Sequence, residues 1–514
     1  MAVWGSFPLR RVYECWTEEP KIILQKARDY DVVIAGGGMA GLITAASIGY
    51  HSKGRARVLV VDRNSESEPG KKTHNGWTCG DATSKRSLDY LADHIGIRYG
   101  SPELEHPVKG VYVYSPDRKT KVLFEGEGYL FNRKLAPRRQ VNDAKKAGAE
   151  FMFGATAERL LAEDGFITGI TGRKADGSTF SVTAKVVIDA TGSSSTLRRF
   201  MPISSQIEKE IDADDVVGTG RYILEFDPGS DDPSFFAPDY CIIHLDQFIA
   251  PAGYAWVFPK GRTKVNIGLG ISKSGLGRRN RRFGLNDNLQ SLIDKYVADN
   301  PVIKNPRQSR SESDSGNTKG NWQVPVRRHN DCMVANGFAV VGDAAWMPRP
   351  IDAGGISPSI YGGTILGKVV AKALETGDAG ESGLWSYNAE YMNTHGYPMA
   401  SFEVLRRYLQ TVTNDEINYG MKHFLSEEDV VAITERKHPE FTRARFMNPA
   451  MWFRILSQLS LARGLRYTVE KSAALVEINL QYPESPRGFG EWQRRLGREL
   501  AETVERFKPL DVLN

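Results

Sequence analysis

The first ordered pattern along the chain is Asp31 followed by the apolar run Val32-Val33-Ile34-Ala35 and then Gly36-Gly37-Gly38-Met39-Ala40-Gly41. An apolar run of strand length ending in glycines reads as a buried strand that turns into a helix. A second such run, Val58-Leu59-Val60-Val61, ends in Asp62. Segment 108–131 alternates in short β runs, Gly110–Tyr114 and Val122–Phe124, around a polar Asp117-Arg118 turn, which predicts a hairpin. Residues 137–148 take a helical pattern and stop at Gly148. Residues 158–190 read as a β-meander, with turns at Asp164-Gly165 and Asp176-Gly177, closing on Val186-Val187-Ile188. Residues 240–272 are again strand-rich. The stretch 305–321, made of Ser, Asn, Gly and Arg with few apolar residues, reads as a surface loop. Phe338-Ala339-Val340-Val341 predicts one more buried strand, followed by a glycine-rich turn and a helix over 356–375. Beyond Gly377 the period is mostly helical, and no internal repeat is present.

The chemistry of the first turn is specific. In Gly36-x-Gly38-x-x-Gly41 the glycines allow a sharp turn, close approach to a pyrophosphate and tight helix–strand packing, with Met39 and Ala40 opening the helix. A helix N-terminus there aims unpaired N–H groups and a positive dipole end at phosphate. Asp62, at the end of the second strand, is placed to accept hydrogen bonds from the ribose of an adenosine, with Arg63 beside it. An ordinary glycine-rich turn would explain the glycines but leave Asp62 a coincidence.

Pieces of this α/β unit recur at 31–62, 186–192 and 338–375, separated by β-rich inserts. Such interleaving is characteristic of flavoprotein oxidoreductases. A second flavin signal is Val341-Gly342-Asp343-Ala344-Ala345-Trp346-Met347-Pro348-Arg349-Pro350, followed by Gly354-Gly355-Ile356. Asp343 can bond ribityl hydroxyls, and the helix starting at Gly355-Ile356 can stabilise negative charge on a reduced ring. The expected fold is therefore α/β, a Rossmann-like FAD-binding domain (29–90, 128–200 and 322–376) interleaved with an antiparallel β-sheet substrate domain (91–127 and 201–321). A helical C-terminal region (377–514) follows, and residues 1–28 form an N-terminal extension.

Composition excludes more than it selects. At 514 residues the chain has room for roughly two to four domains. Lys and Arg number 67 against 62 Asp and Glu, a net charge of +5, which makes no case for nucleic acid and leaves open a locally basic face toward an anionic membrane. Cys15, Cys79, Cys241 and Cys332 lie far apart, with no CxxC and no His cluster. No metal site or disulfide framework is expected, and a reducing cytoplasm suits this usage. Neither a signal peptide nor a transmembrane run is evident.

The two flavin motifs resemble those of the para-hydroxybenzoate-hydroxylase-like FAD-dependent oxidoreductases, and three further segments narrow the resemblance to the geranylgeranyl reductase family, archaeal branch. Cys79-Gly80-Asp81-Ala82-Thr83-Ser84-Lys85 looks like the family's loop beside the isoalloxazine. Tyr254-x-Trp256-x-Phe258-Pro259, with Gly268-x-Gly270 after it, is similar to its substrate-site signature. The tail Tyr482-Pro483-x-Ser485-Pro486, with Gly490 and Trp492, also matches, as do Leu384-Trp385 and Asn418-Tyr419-Gly420-Met421-Lys422. The resemblance covers nearly the whole chain from Asp31 onward. It implies that Cys79, Gly80 and Ala82 lie near the flavin, that Arg133 contacts FAD, and that backbone groups at Ala157 hold the adenine. Asp189-Ala190-Thr191-Gly192 resembles a small-residue strand end beside the FAD diphosphate. Pro137 replaces the aspartate common before Arg138, and Ser357 and Asp352 stand where Gly and often His are expected.

The activity implied is FAD-dependent saturation of isoprenoid double bonds, by hydride transfer from reduced flavin N5 to the geranylgeranyl chains of archaeal-type lipids or their precursors. An unactivated alkene needs a proton as well, and the Cys79-Gly80-Asp81 loop is the candidate catalytic segment, with Cys79 or a held water as proton source. Tyr254, Trp256 and Phe258 alternate along a strand, so they share one face and can wall a prenyl chain; ordinary core packing is the alternative. Only one GxGxxG unit is apparent. The electron donor is therefore left between a ferredoxin-like protein, a reduced deazaflavin and docked NADPH. The expected location is cytoplasmic, with peripheral contact at the membrane face left open. Competing readings are a flavin-dependent monooxygenase or halogenase, whose Trp-x-Trp-x-Ile-Pro signature resembles the 254–259 stretch, and a non-catalytic FAD-containing prenyl-lipid-binding protein.

Overall fold

Tyr30–Ala35 is the middle strand of a parallel sheet, flanked by Val58–Asp62 on one side and Thr179–Asp189 on the other. Ala149–Phe153 extends the sheet past Val58–Asp62, and Phe338–Val340 past Thr179–Asp189, both parallel. The short antiparallel strand Val334–Ala335 closes that edge. Both faces are covered, so Val32–Ala35 and Val58–Val61 are buried throughout and read as unbroken apolar runs. The computed structural model describes residues 28–74, 76–311, 314–424 and 458–507. Apart from Arg28, the N-terminal extension with Cys15 lies outside the described residues, as does the stretch 425–457 of the C-terminal region.

The helices Met39–Ser52 and Ile356–Thr376 cross on this sheet, and glycine makes the crossing close. A Cβ on Gly363 would stand 2.9 Å from the Ala40 carbonyl, and one on Gly367 would collide with the Ser47 side chain. The Ser47 hydroxyl instead donates to the Thr364 carbonyl (2.8 Å). The crossing sets the starts of both helices beside the ends of the parallel strands, where a dinucleotide binds in such folds. The expected meander is present as Ala155–Glu163, Phe166–Lys174 and Thr179–Asp189.

The second sheet has nine strands. Its order is Ile303–Gln308, Val216–Pro228, Lys264–Ser272, Tyr254–Pro259, Cys241–His244, Leu104–Tyr114, Lys121–Phe131 and Ala82–Ser84, with Lys319–Pro325 also paired to Val216–Pro228. All pairs are antiparallel except Cys241–His244 with Leu104–Tyr114. The expected hairpin turns at Asp117-Arg118 as read. Two details differ. The 305–321 stretch is not one surface loop, because Ile303–Gln308 and Lys319–Pro325 bracket it and both pair with Val216–Pro228. Backbone pairing holds the first at an edge where Lys304–Gln308 are exposed, so polar composition hides it. Ala82–Ser84, within the segment assigned to the first domain, pairs with Lys121–Phe131 in the second sheet. At three residues it is too short to show a period.

The C-terminal helices Met399–Leu409, Leu459–Leu480 and Phe489–Arg506 pack on one another and join the hydrophobic core of the first sheet. Here the tail motif proves to be core. Trp385 stacks with Tyr482 and meets Phe489 edge-on, and Tyr482 meets Trp492 edge-on. Trp385 Nε1 donates to Pro483 O (2.8 Å), Trp492 Nε1 to Ile478 O (2.9 Å) and the Tyr482 hydroxyl to Asp331 O (2.8 Å). Among the described residues no helix is long and apolar enough to cross a membrane.

Candidate active site

The three glycines of the first turn have three separate reasons. Gly36 has φ 110°, and a Cβ there would collide with the Ala190 carbonyl. A Cβ on Gly41 would collide with the Gly36 carbonyl, so this glycine lets helix and strand pack. Gly38 faces open space, with no atom within 4 Å of its would-be Cβ. An open glycine at an uncapped helix start is the cradle a phosphate requires. Ala40 lies in the first helical turn, where it bounds the second motif at Gly342.

Asp62 is buried, and its carboxylate is fully engaged. Oδ2 accepts from Gly37 N–H (2.6 Å) and Gly70 N–H (3.1 Å), and Oδ1 accepts from Asn64 N–H (2.7 Å) and Asn64 Nδ2 (2.9 Å). Four donors use the acceptor capacity of a carboxylate. Burial pushes the Asp62 carboxyl above the ordinary aspartate range, while the four donors pull it down. Asp62 thus fastens the glycine turn to the second strand, and a ribose hydroxyl would take the place of one of these donors. Arg63 turns outward, donating to Lys72 O (2.8 Å). Ala157 is half-buried on the meander strand Ala155–Glu163.

The second motif forms a 3-10 turn over Gly342–Ala345. Lys72 Nζ pairs with Asp343 Oδ2 (3.1 Å), which ties the turn to the loop after Asp62. Asp343 Oδ1 lies 3.5 Å from the position of a Cβ on Gly355, the residue that begins the helix Ile356–Thr376. No side chain caps that helix. Ser357 points its hydroxyl at Ser87 (3.1 Å), and Asp352 closes its own turn by pairing with Arg349 (3.1 Å) and accepting from Gly354 N–H (2.9 Å). Asp352 is thus accommodated within its own turn, and Ser357 by a contact 270 residues away in sequence.

Arg133 and Arg138 part company. Arg138 Nε donates to Ser67 O (2.7 Å) on an exposed surface. Arg133 is buried, and its Nε and Nη1 have no hydrogen-bond partner in the protein. Buried guanidinium N–H groups without an acceptor are costly, and an anionic or polar ligand would supply what these two lack. With the open Gly38 and the uncapped helix start, this donor set fits FAD. Asp189, by contrast, serves its own turn, accepting from Thr191 N–H (3.0 Å), Arg198 N–H (3.1 Å) and the Ser195 hydroxyl.

The aromatic row lies on one face of the second sheet, as alternation requires. Ring centroids are 6.1 Å apart for Tyr254 and Trp256 and 6.2 Å for Trp256 and Phe258. Across the antiparallel pair, Tyr254 stands opposite Gly270 and Trp256 opposite Gly268. Opposed residues share a face, and Gly268 clears space for the Trp256 ring while Gly270 opens onto the cleft beside it. The Tyr254 hydroxyl donates to the Asp352 carbonyl, joining the row to the loop after the second motif. Gly80 seats the near-flavin loop on the row, since a Cβ there would be 3.0 Å from the Phe258 ring.

Beneath this loop runs a buried polar network. Asn266 Nδ2 donates to Cys79 O (2.9 Å) and Asp81 Oδ2 (2.8 Å), and Asn266 Oδ1 accepts from Trp256 Nε1 (3.0 Å). Lys260 Nζ lies 3.2 Å from Asp81 Oδ2 and 2.9 Å from Glu105 Oε2, and donates to Phe131 O (2.9 Å). Burial alone would lower the Lys260 pKa, but Asp81 and Glu105 hold it above the ordinary lysine value. Arg221 Nη2 donates to Trp77 O (2.9 Å) and Asn317 Oδ1 (2.6 Å). Asp81 has φ 69° and its N–H donates to Cys79 Sγ (3.3 Å), which orients the half-buried thiol. Lys260, Asn266 and Arg221 escaped the sequence reading. Lys260 alone carried a signal, as the next member of the alternation Tyr254, Trp256, Phe258.

An apolar cleft opens beside the row. Leu245, Tyr254, Trp256, Val326, Ile351 and Leu409 line it, between the second sheet, the Pro350–Ala353 loop and the helix Met399–Leu409.

Residues 29–221 match the FAD binding domain family, and residues 230–306 match the geranylgeranyl reductase catalytic domain. A digeranylgeranylglycerophospholipid reductase of Sulfolobus acidocaldarius is 34% identical over 483 residues, covering 93% of this chain and 98% of its own length. The Methanothrix thermoacetophila protein of the same name is 29% identical over 405 residues, covering 78% and 92%. Among solved structures, a geranylgeranyl bacteriochlorophyll reductase-like protein from Thermoplasma acidophilum shares the fold, with a TM-score of 0.66 and 24% identity over 81% of this chain and 98% of its own.

Proposed function

Because the chain belongs to the geranylgeranyl reductase family, we propose that it is an FAD-dependent oxidoreductase that saturates C=C bonds in the geranylgeranyl chains of a membrane lipid or its precursor. The observation that carries the reading is the seating of the Cys79-Gly80-Asp81 loop on the aromatic row beside an apolar cleft.

Bound FAD supplies the hydride chemistry. The glycine turn, Arg133 and the uncapped start of Ile356–Thr376 would hold the cofactor, with Asp343 placed for the ribityl chain and Asp62 for the ribose. Arg63 and Ala157 stand at the outer, adenosine end. Tyr254, Trp256 and Phe258 wall the prenyl chain and exclude water. Cys79 Sγ is the proton-holding atom of the loop. Asp81, with Oδ2 committed to Lys260 and Asn266, keeps the loop in place. With one GxGxxG unit in the chain, the reducing equivalents come from a docked donor: a ferredoxin-like protein, a reduced deazaflavin or NADPH.

The test is anaerobic incubation of the FAD-loaded protein with dithionite and a geranylgeranyl phospholipid diether, followed by mass measurement of the lipid. Gain of a hydrogen pair for each bond reduced is the expected result. An unchanged lipid under full flavin reduction, or turnover that requires oxygen, would sink it, the latter in favour of a monooxygenase or halogenase.

A further inference from the structure

The helix Lys273–Phe283 carries Lys273, Arg278, Arg279, Arg281 and Arg282 and no acidic residue. Five cations in one helix stand out in a chain whose whole net charge is +5. At its end Phe283 is 44% exposed and meets Phe248, also 44% exposed, edge to face with centroids 5.4 Å apart. Two large rings held side by side at a surface form an apolar point that water does not favour. The pair is built rather than loose. The buried Arg279 guanidinium lies 4.2 Å over the Phe248 ring and is held by Asp287 (2.9 Å), and Arg282 lies 5.5 Å over Phe283.

Among the described residues, three acids near this surface are each hydrogen-bonded within the protein. Asp287 pairs with Arg279 and with Lys295 (2.6 Å), Asp214 accepts from Ser274 (2.5 Å), and Asp246 accepts from Phe248 N–H (2.8 Å) and Asn414 Nδ2 (3.0 Å). Lys273 and Arg281 are exposed. The patch also borders the apolar cleft. Gln247 and Ala252, which flank Phe248 on one turn, line the cleft, and Gly275 of the basic helix packs on Ala252, its would-be Cβ 3.0 Å away.

We propose that the Phe248–Phe283 pair and the exposed Lys273 and Arg281 dock the protein on an anionic lipid bilayer, with the cleft mouth turned toward the membrane. The occupant follows from charge complementarity and from the cleft next to the patch; its choice rests on the prenyl-lipid reading. Aromatic rings enter the interface, and the cations bind anionic headgroups. A prenyl chain could then pass from the bilayer into the cleft without crossing water.

The experiment uses the FAD-loaded full chain and flotation with vesicles of phosphatidylcholine, with and without phosphatidylglycerol. Wild type should float with the anionic vesicles only, and added salt should release it. Each cation near an anionic surface contributes roughly fivefold in binding, so K273Q/R281Q should bind roughly 25-fold more weakly. F248S/F283S should also lose vesicle binding. Both variants should keep their flavin and melting temperature, reduce detergent-dispersed substrate as wild type does, and fail on substrate embedded in anionic vesicles. Equal flotation of variants and wild type, no flotation of wild type, or equal binding to both vesicle types would overturn the docking surface. Failure of every form to reduce detergent-dispersed lipid would instead overturn the reductase reading, and the flotation result would stand separately.

Discussion

Gly268 lies directly opposite Trp256 in the sheet, and a Cβ on Gly268 would sit 2.6 Å from Trp256 Cζ2. The same Cβ would collide with the Gly220 carbonyl and come 2.7 Å from Arg221 Cβ. The glycine of the substrate-site signature is thus the space into which the indole folds. Gly270, two residues on, is different. Its would-be Cβ meets only Thr219 Cγ2, at 3.4 Å, and the residue lines the cleft.

The two glycines should therefore fail in different ways. Gly268→Ala overpacks a buried site and should cost about 1–3 kcal/mol, seen as an earlier melt with FAD saturating. Gly270→Ala should melt normally, its methyl entering the cleft and raising KM for long-chain lipid. A normal melt for the first or an early melt for the second would break the assignment.

Removing the Asn266 amide should detach the near-flavin loop from the aromatic row. Asn266→Leu leaves Trp256 Nε1 without its acceptor and Cys79 O without its donor, at a cost of roughly 1–3 kcal/mol. Turnover should fall while flavin content holds, because the cofactor cradle is elsewhere. Flavin loss equal to the activity loss would show that Asn266 supports the cradle instead.

Arg133→Met separates cofactor binding from stability. Losing a buried guanidinium whose Nε and Nη1 have no protein partner should leave the apo-protein at least as stable. FAD affinity should drop about tenfold or more, in line with the loss of one hydrogen bond to a charged group. Fluorescence titration of FAD and apo-protein melting read the two effects. Unchanged affinity would remove Arg133 from the site.

A pH dependence is built into the second core. Burial pushes His244 down to about 4, and its ring is satisfied when neutral, Nε2 donating to Ser234 O (2.7 Å) and Nδ1 accepting from the Tyr296 hydroxyl (2.6 Å). The unfolded chain takes up this proton near pH 6.5, so the stabilisation is full above that value and drains away as pH falls toward 4. The loss is about 3 kcal/mol over that window. His329, also pushed by burial to about 4, adds a parallel loss. His244→Gln keeps both partners, and its chemical denaturation midpoint should fall less steeply between pH 7 and 5 than that of wild type.

Much of this was legible along the chain because the determinants are local. The strand–glycine–helix turn is written in consecutive residues, and a period of two forces Tyr254, Trp256 and Phe258 onto one face wherever the strand lies. Recurrence of buried strands at 31–62, 186–192 and 338–375 was enough to show interleaving, since only strands buried on both faces read as continuous apolar runs. The edge strand Ile303–Gln308 was invisible for the converse reason, being held by its backbone while its side chains face water. Tertiary structure alone decided which glycine faces which ring, because cross-strand register is a property of the pair. It also decided that Asp62 spends its oxygens on the turn it anchors, and that Asn266 reaches Asp81 across 185 residues of chain. Sequence spacing carries no information about contacts between groups that far apart, and burial is what compels each polar group to find its partner.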